Sequence, residues 1–206
     1  MSLKRCNVKY IKKMKTLFVP VVQQYKTRAN VEIEIRFGKV SRKKFDTNIG
    51  PERFEKILKG LKKYNGWEKV TKSHTTAYIK GDIRVIDDED LGTTTCHKKS
   101  KLKKMDFELQ DQPLDVRLSI ATETACERPS GDSEFDEMRV RHRESFVRKN
   151  LSIDMTKVTG NPDDPDSEDT DKYECELEII NPKAITDDVV VANILHKVFD
   201  ILKLLE

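Results

Sequence analysis

Cysteine is scarce in this chain: Cys6, Cys96, Cys126 and Cys175 stand far apart among 206 residues, with no Cys-x-x-Cys pair. That spacing offers neither the paired thiolates of a zinc site nor a disulfide framework, and it points to a reducing compartment. The cysteines have no neighbouring base in sequence, which argues against a nucleophilic role. His74, His97, His142 and His196 show no metal-ligand spacing either. Glycine is equally thin and the glycines stand singly, so no Gly-rich Walker-type loop exists to cradle a nucleotide. Lys-x-Asp-Gly, the nucleotidyl-transfer signature, is absent. No apolar run approaches the ~18 residues of a membrane span, and residues 1–7 are too polar for a signal peptide. A bulk basic surface is missing too: 39 Lys+Arg face 36 Asp+Glu, a net charge of +3. Simple electrostatic capture of nucleic acid is thereby excluded.

What is present is charge, in order. Charged residues make up 36% of the chain, against about 25% for an average soluble domain. The apolar residues are grouped in short runs, so the chain folds, and its length suits a single domain over 1–206. The dominant period is two. Val31, Ile33, Ile35 and Phe37 alternate with Glu32, Glu34 and Arg36. Similar segments recur at 67–78, 82–86, 93–102, 105–109, 115–122, 138–147, 151–158 and 173–180. The expected architecture is a mainly β antiparallel barrel or sandwich of about eight or nine strands with a few helices. Helical patterns cover 51–64 and 187–205, and a shorter helix is possible over 8–25. The acidic stretches 127–137 and 161–171 read as mobile loops.

Alternate residues of a strand share a face. Glu32, Glu34 and Arg36 therefore form one row, and Glu174, Glu176 and Glu178 another. Like charges roughly 7 Å apart repel unless cations oppose them. Candidate cations sit on Arg84, Arg117, Arg139, Arg141, Arg143 and the lysines of 98–101, while Ser152, Asp154 and Thr156 make a polar face. Two readings stay open. In the plain one every charged face meets solvent. In the other the barrel is turned inside out, with apolar faces packed outward under helices and a charged tunnel inside. Such a tunnel suits a linear triphosphate: Arg and Lys grip its oxygens, and carboxylates hold a hard divalent cation such as Mg²⁺ or Mn²⁺. Metal-assisted phosphoanhydride hydrolysis is the chemistry those parts fit.

The strand 31–38 together with 174–180 resembles the paired signature strands of the triphosphate tunnel metalloenzymes. Residues 115–123, 141–146 and 153–156 resemble interior strands of that family's RNA 5′-triphosphatase branch, found in fungi, protozoa and DNA viruses, in the same order. The mimivirus type, an N-terminal triphosphatase domain of an mRNA capping enzyme, is the nearest pattern. The resemblance implies a closed barrel and removal of the γ-phosphate from 5′-triphosphate RNA, with nucleoside triphosphates as side substrates. It assigns Glu32, Glu34 and Glu178 to the metal, and Arg84, Lys99, Arg117, Arg141 and Arg143 to phosphate. Glu123 and Glu176 would orient the attacking water, and Arg36, Asp154, Thr156 and Glu174 would support the tunnel. Arginine replaces the family's lysine at 117 and 141, which alters the pose of the contact. A coupled or fused guanylyltransferase is implied, with no membrane association. So is an intracellular location: a viral factory, virion or nucleus. The alternatives are a hydrolase of tripolyphosphate or another small triphosphate, and a non-catalytic barrel that binds polyphosphate or RNA.

Overall fold

The computed structural model describes residues 3–129, 135–160 and 171–206. Residues 130–134 of one expected mobile loop and 161–170 of the other lie outside the described residues. The chain opens with a helix, α1 (Leu3–Tyr25), and then a hairpin, β1 (Val31–Ser41) and β2 (Lys44–Asp46). A second helix, α2 (Pro51–Lys63), precedes seven strands: β3 (Lys69–Lys80), β4 (Ile83–Asp88), β5 (Thr93–Phe107), β6 (Asp115–Ala125), β7 (Glu137–Arg148), β8 (Leu151–Thr159) and β9 (Lys172–Ile179). A short 3-10 turn, Pro182–Ala184, leads to the last helix, α3 (Asp188–Leu202).

All pairings are antiparallel, in the order β1-β6-β5-β4-β3-β7-β8-β9, and β9 returns to β1 to close the ring. Eight strands form the barrel, while β2 pairs only with the end of β1. Closure removes the unpaired edges that an open sheet would expose.

The main apolar cluster lies outside the barrel wall. Ile33, Ile35 and Phe37 of β1, Val116, Leu118 and Ile120 of β6, and Leu177 and Ile179 of β9 form one buried cluster with the helices. From α1 come Ile11, Met14, Phe18 and Val22, spaced three and four apart on a single stripe, and from α3 Leu195, Val198 and Leu202. The helix reaches back to Leu3 and is longer than the 8–25 expected, and it accommodates Pro20 inside it. Asp187 starts α3 by accepting from the backbone N–H of Val189 at 2.8 Å and of Val190 at 3.0 Å. Pro51 suits the start of α2, where its N–H would be unpaired anyway, and Glu52 in the first turn and Lys62 and Lys63 in the last match the helix dipole.

Two differences from the sequence reading concern strands. The segments 93–102 and 105–109 are one strand, β5, with a bulge between Lys101 and Lys103. The extra residue breaks the period of two, which makes one strand read as two. The short β2 carries too few residues to show any period.

Candidate functional site

Directly opposed residues of neighbouring strands share a face, so the inner wall can be followed residue by residue. Glu34 opposes Ser119 of β6 on one side and Glu178 of β9 on the other. Across β9 and β8, Glu178 opposes Ser152, Glu176 opposes Asp154 and Glu174 opposes Thr156. Thr156 opposes Arg143 on β7, and Arg141 opposes Thr75 on β3. Arg84 of β4 opposes Ile79 and His97, and Lys99 of β5 opposes Glu123 of β6. Glu32 opposes Ala121, and Arg36 lies between Arg117 and Glu176. Every residue nominated from the sequence falls on this one inner face.

The ion pairs form across strands. Lys99 Nζ lies 2.6 Å from Glu32 Oε2. Arg36 donates to Glu176 and lies 3.4 Å from Glu34. Arg143 reaches Thr156 Oγ1 at 3.0 Å, Asp154 at 3.2 Å and Glu176 at 3.5 Å. Ser152 donates to Asp154 at 2.6 Å, and Thr47, which enters from the segment after β2, donates to Glu174 at 2.8 Å. Asp154, at 3% exposure, and Thr156, at 0%, sit in the barrel wall, out of bulk water.

The electrostatics divide the wall into two deficits. Burial, followed by the Asp154 and Glu32 charges, pushes the Glu178 carboxyl up to about 7. Glu32 is raised by burial and by its hydrogen bond with Glu123, and Glu34 by burial and the Glu176 charge. These carboxylates lack positive charge. Arg141 has the opposite problem. Burial and the adjacent Arg143 cation lower it to about 10, with Arg84 adding to the repulsion. Glu176 is different again: burial opposes its ionisation, but Arg36, Arg143 and Arg141 outweigh burial and hold it down to about 2. It is a fixed anion inside an arginine cluster.

Carboxylate oxygens short of cations are the donor set a hard divalent ion takes, so Glu32, Glu34 and Glu178 fit such an ion chemically. Among the described residues, no group of three or more His, Cys, Asp or Glu side chains is gathered as a ready coordination sphere. Glu32 and Glu34 are instead turned to Lys99 and Arg36.

Arg117 stands apart from the arginine cluster in its contacts. Its guanidinium grips Asp106 through Nε at 2.5 Å and Nη2 at 2.9 Å, and it lies 4.6 Å from the centre of the Phe45 ring on β2. Asp106 and Thr47 escaped the sequence reading, whereas Ser152 was already on the polar face of its strand. The bulge hides the phase of Asp106, and Thr47 belongs to no periodic segment. The phase of Ser152 was readable from its spacing to Asp154. Lys101 and Lys104 also fall on the inner face, opposite Ala121 and Ser119, and both are exposed. Cys96 and Cys126 are distant in sequence, yet their sulfurs approach to 3.0 Å as thiols on the other side of the wall.

An eight-stranded closed barrel with arginines and carboxylates lining its bore and its apolar core outside defines the class of triphosphate-tunnel folds. Residues 62–194 match the family described as "mRNA capping enzyme, beta chain", and the chain belongs to that family. The mRNA-capping enzyme subunit beta of Schizosaccharomyces pombe is 30% identical over 106 residues, which cover 51% of this chain and 34% of the relative. That of Cryptococcus neoformans is 27% identical over 107 residues, 51% of this chain and 26% of the relative. The matched part thus spans about a third or less of these relatives' length. Among solved structures, the S. pombe Pct1 RNA triphosphatase superposes with a TM-score of 0.75 at 19% identity, over 94% of this chain and 92% of that one. The RNA triphosphatase domain of the trifunctional mimivirus mRNA capping enzyme gives 0.67 at 18% identity, over 93% and 96%. At such identities the likeness is one of fold.

Proposed function

We propose that this chain is a metal-dependent RNA 5′-triphosphatase that removes the γ-phosphate from 5′-triphosphate RNA in the first step of mRNA capping. The observation that carries this reading is the closed bore, which sets Arg84, Lys99, Arg141 and Arg143 on the same inner face as Glu32, Glu34 and Glu178; the state of Arg141 agrees with it. A guanidinium does not lose its proton in a protein, so a depressed value means a buried cation short of negative charge. A bound triphosphate supplies that charge, in reach of Arg84, Arg143 and Lys99 as well.

Glu32, Glu34 and Glu178 would hold the divalent ion, Mg²⁺ or Mn²⁺. When bound, that ion neutralises the terminal phosphate and polarises its oxygens. Arg141 and Arg143 bind the phosphate chain through bidentate contacts. Lys99 moves from Glu32 to phosphate, and Arg84 closes the other side. Glu176 stays ionised and fixes Arg36 and Arg143, so its role is to orient. Glu123, hydrogen-bonded to Glu32, orients the attacking water. Asp154, Thr156 and Glu174 hold the arginines in place. Residues 1–206 would form a single triphosphatase domain, coupled to or fused with a guanylyltransferase, in the nucleus or in a viral factory or virion.

The test is phosphate release from triphosphate-ended RNA, ATP and tripolyphosphate, with Mg²⁺, with Mn²⁺ and with EDTA. Release from RNA that depends on metal and on Glu32 supports the reading. Faster turnover of tripolyphosphate than of RNA would favour a small-triphosphate hydrolase, and binding without turnover would leave only an anion-binding barrel.

A further inference from the structure

The β1–β2 hairpin carries a costly peculiarity. Its pairing, Ser41 with Lys44, leaves Arg42 and Lys43 as a two-residue loop. Both have positive φ, 47° and 64°. That is the type I′ geometry, which strongly favours Asn-Gly because Cβ crowds the following carbonyl oxygen there, a cost glycine avoids and asparagine offsets by local hydrogen bonding. In place of the relaxed pair, the tip presents three consecutive exposed cations, Arg42, Lys43 and Lys44. Such strain is retained where the side chains have work elsewhere.

The next residue ties the tip to the tunnel. Phe45 lies beneath the guanidinium of Arg117, an inner-wall residue, and against Gly38. A Cβ on Gly38 would collide with the Phe45 ring and the Asp46 carbonyl, so the hairpin can fold this closely only over glycine. The tip therefore stands at the barrel end where Arg117 and Arg36 lie. Two rows of the inner wall change from carboxylate to guanidinium toward that end. On β1 the row runs Glu32, Glu34, Arg36, and on β6 it runs from Glu123 to Arg117 in the same physical direction. Arg36 and Arg117 are paired there with Glu176 and Asp106, so the exposed cations of the tip are left to meet a polyanion that leaves by that mouth.

We propose that Arg42, Lys43 and Lys44 contact the phosphates of the RNA chain beyond its triphosphate end, so that the hairpin sets the preference for RNA over free nucleoside triphosphate. This rests on the function proposed above for its substrate. The chemistry recognised is a single-stranded phosphodiester backbone, read by charge and without base contacts.

The test compares the 1–206 chain with the triple variant Arg42→Asn, Lys43→Gly, Lys44→Thr, whose loop relaxes the I′ turn and so keeps or raises Tm. KM for triphosphate-ended RNA is expected to rise about five- to tenfold at low salt. The slope of log affinity against log salt should flatten by about 2, because three phosphates are no longer neutralised, at ~0.7 each. The kcat for RNA, and all constants for ATP and tripolyphosphate, stay as in the unaltered chain. Binding of a 5′-hydroxyl RNA of the same sequence, followed by fluorescence anisotropy, weakens in parallel. Equal RNA affinity in both chains overturns the proposal, and so does an equal rise of KM for RNA and ATP. If hairpin-dependent RNA binding occurs with no phosphate release by the unaltered chain, the enzymatic reading fails and the hairpin contact stands.

Discussion

At the scale of single residues, the tunnel is a balance of buried charge with two unmet demands. The carboxylates Glu32, Glu34 and Glu178 are crowded and raised, so replacing one relieves repulsion. Glu32→Ala, Glu34→Ala and Glu178→Ala are each expected to reduce metal-dependent phosphate release by at least about a hundredfold, while Tm in EDTA stays level or rises. Full turnover in all three would remove these residues from the metal site. The pH dependence has a definite sign. Glu178 ionises at about 7 in the folded chain, against 4.5 for the ordinary carboxyl. The native state therefore binds more protons than the unfolded one between those values, and stability falls as pH rises through the interval. Above about 7 the ionised carboxylate costs stability; below 4.5 it costs none. Glu178→Gln should thus raise Tm in EDTA at pH 8 and leave it little changed at pH 4.5, by differential scanning calorimetry. Arg143 is the converse case. Its guanidinium meets Thr156, Asp154 and Glu176 together, so Arg143→Ala takes the ion-pair partner from buried Asp154 and one of the cations that hold Glu176, and should lower both Tm and turnover.

Elements decide where these residues point. The bulge at Leu102 absorbs one residue of β5, and so Lys99 and Lys101 before it and Lys104 and Asp106 after it all reach the inner face. Gly38 lets β2 fold onto β1, and Gly38→Ala is expected to cost about 1–3 kcal/mol in urea unfolding through the forced contact with Phe45 and Asp46. Asp187 caps α3, and its two backbone hydrogen bonds hold its carboxyl below the usual range. A depressed carboxyl contributes stability above its unfolded value and loses it as pH falls through the folded one. Asp187→Ala should accordingly lower Tm by a few degrees at pH 7, with the gap to the unaltered chain closing in acid. A gap that persists below the range of carboxylate titration would mean the loss comes from packing.

Across the whole molecule, closure is what turns eight amphipathic strands into a site. The β1–β9 pairing joins the first and last strands in sequence, so no part of the wall is finished until both ends of the chain are in place. The helices then cover one outer side and seal the apolar core against it. Unfolding is expected to be a single cooperative step, with far-UV circular dichroism and the fluorescence of Trp67, packed on Phe146, losing signal at the same denaturant concentration. Separate transitions would mean that the helical layer and the barrel unfold independently.

The period of two in residues 31–37 and 173–180 determined, without any structure, that charge and apolar residues occupy opposite faces, because a strand's side chains alternate by geometry alone. The same arithmetic brought the arginines of β7 and the polar row of β8 into phase. It left open which face is inside, since an amphipathic strand serves equally well with its charges in solvent. Only the closed ring of pairings decided that, by enclosing Glu176 and Arg143 and placing Ile35 and Leu177 under the helices. Partners brought together from distant segments, such as Thr47 with Glu174 or Asp106 with Arg117, were settled by the fold as well. Their proximity depends on register and on a bulge, and neither leaves a mark in local periodicity.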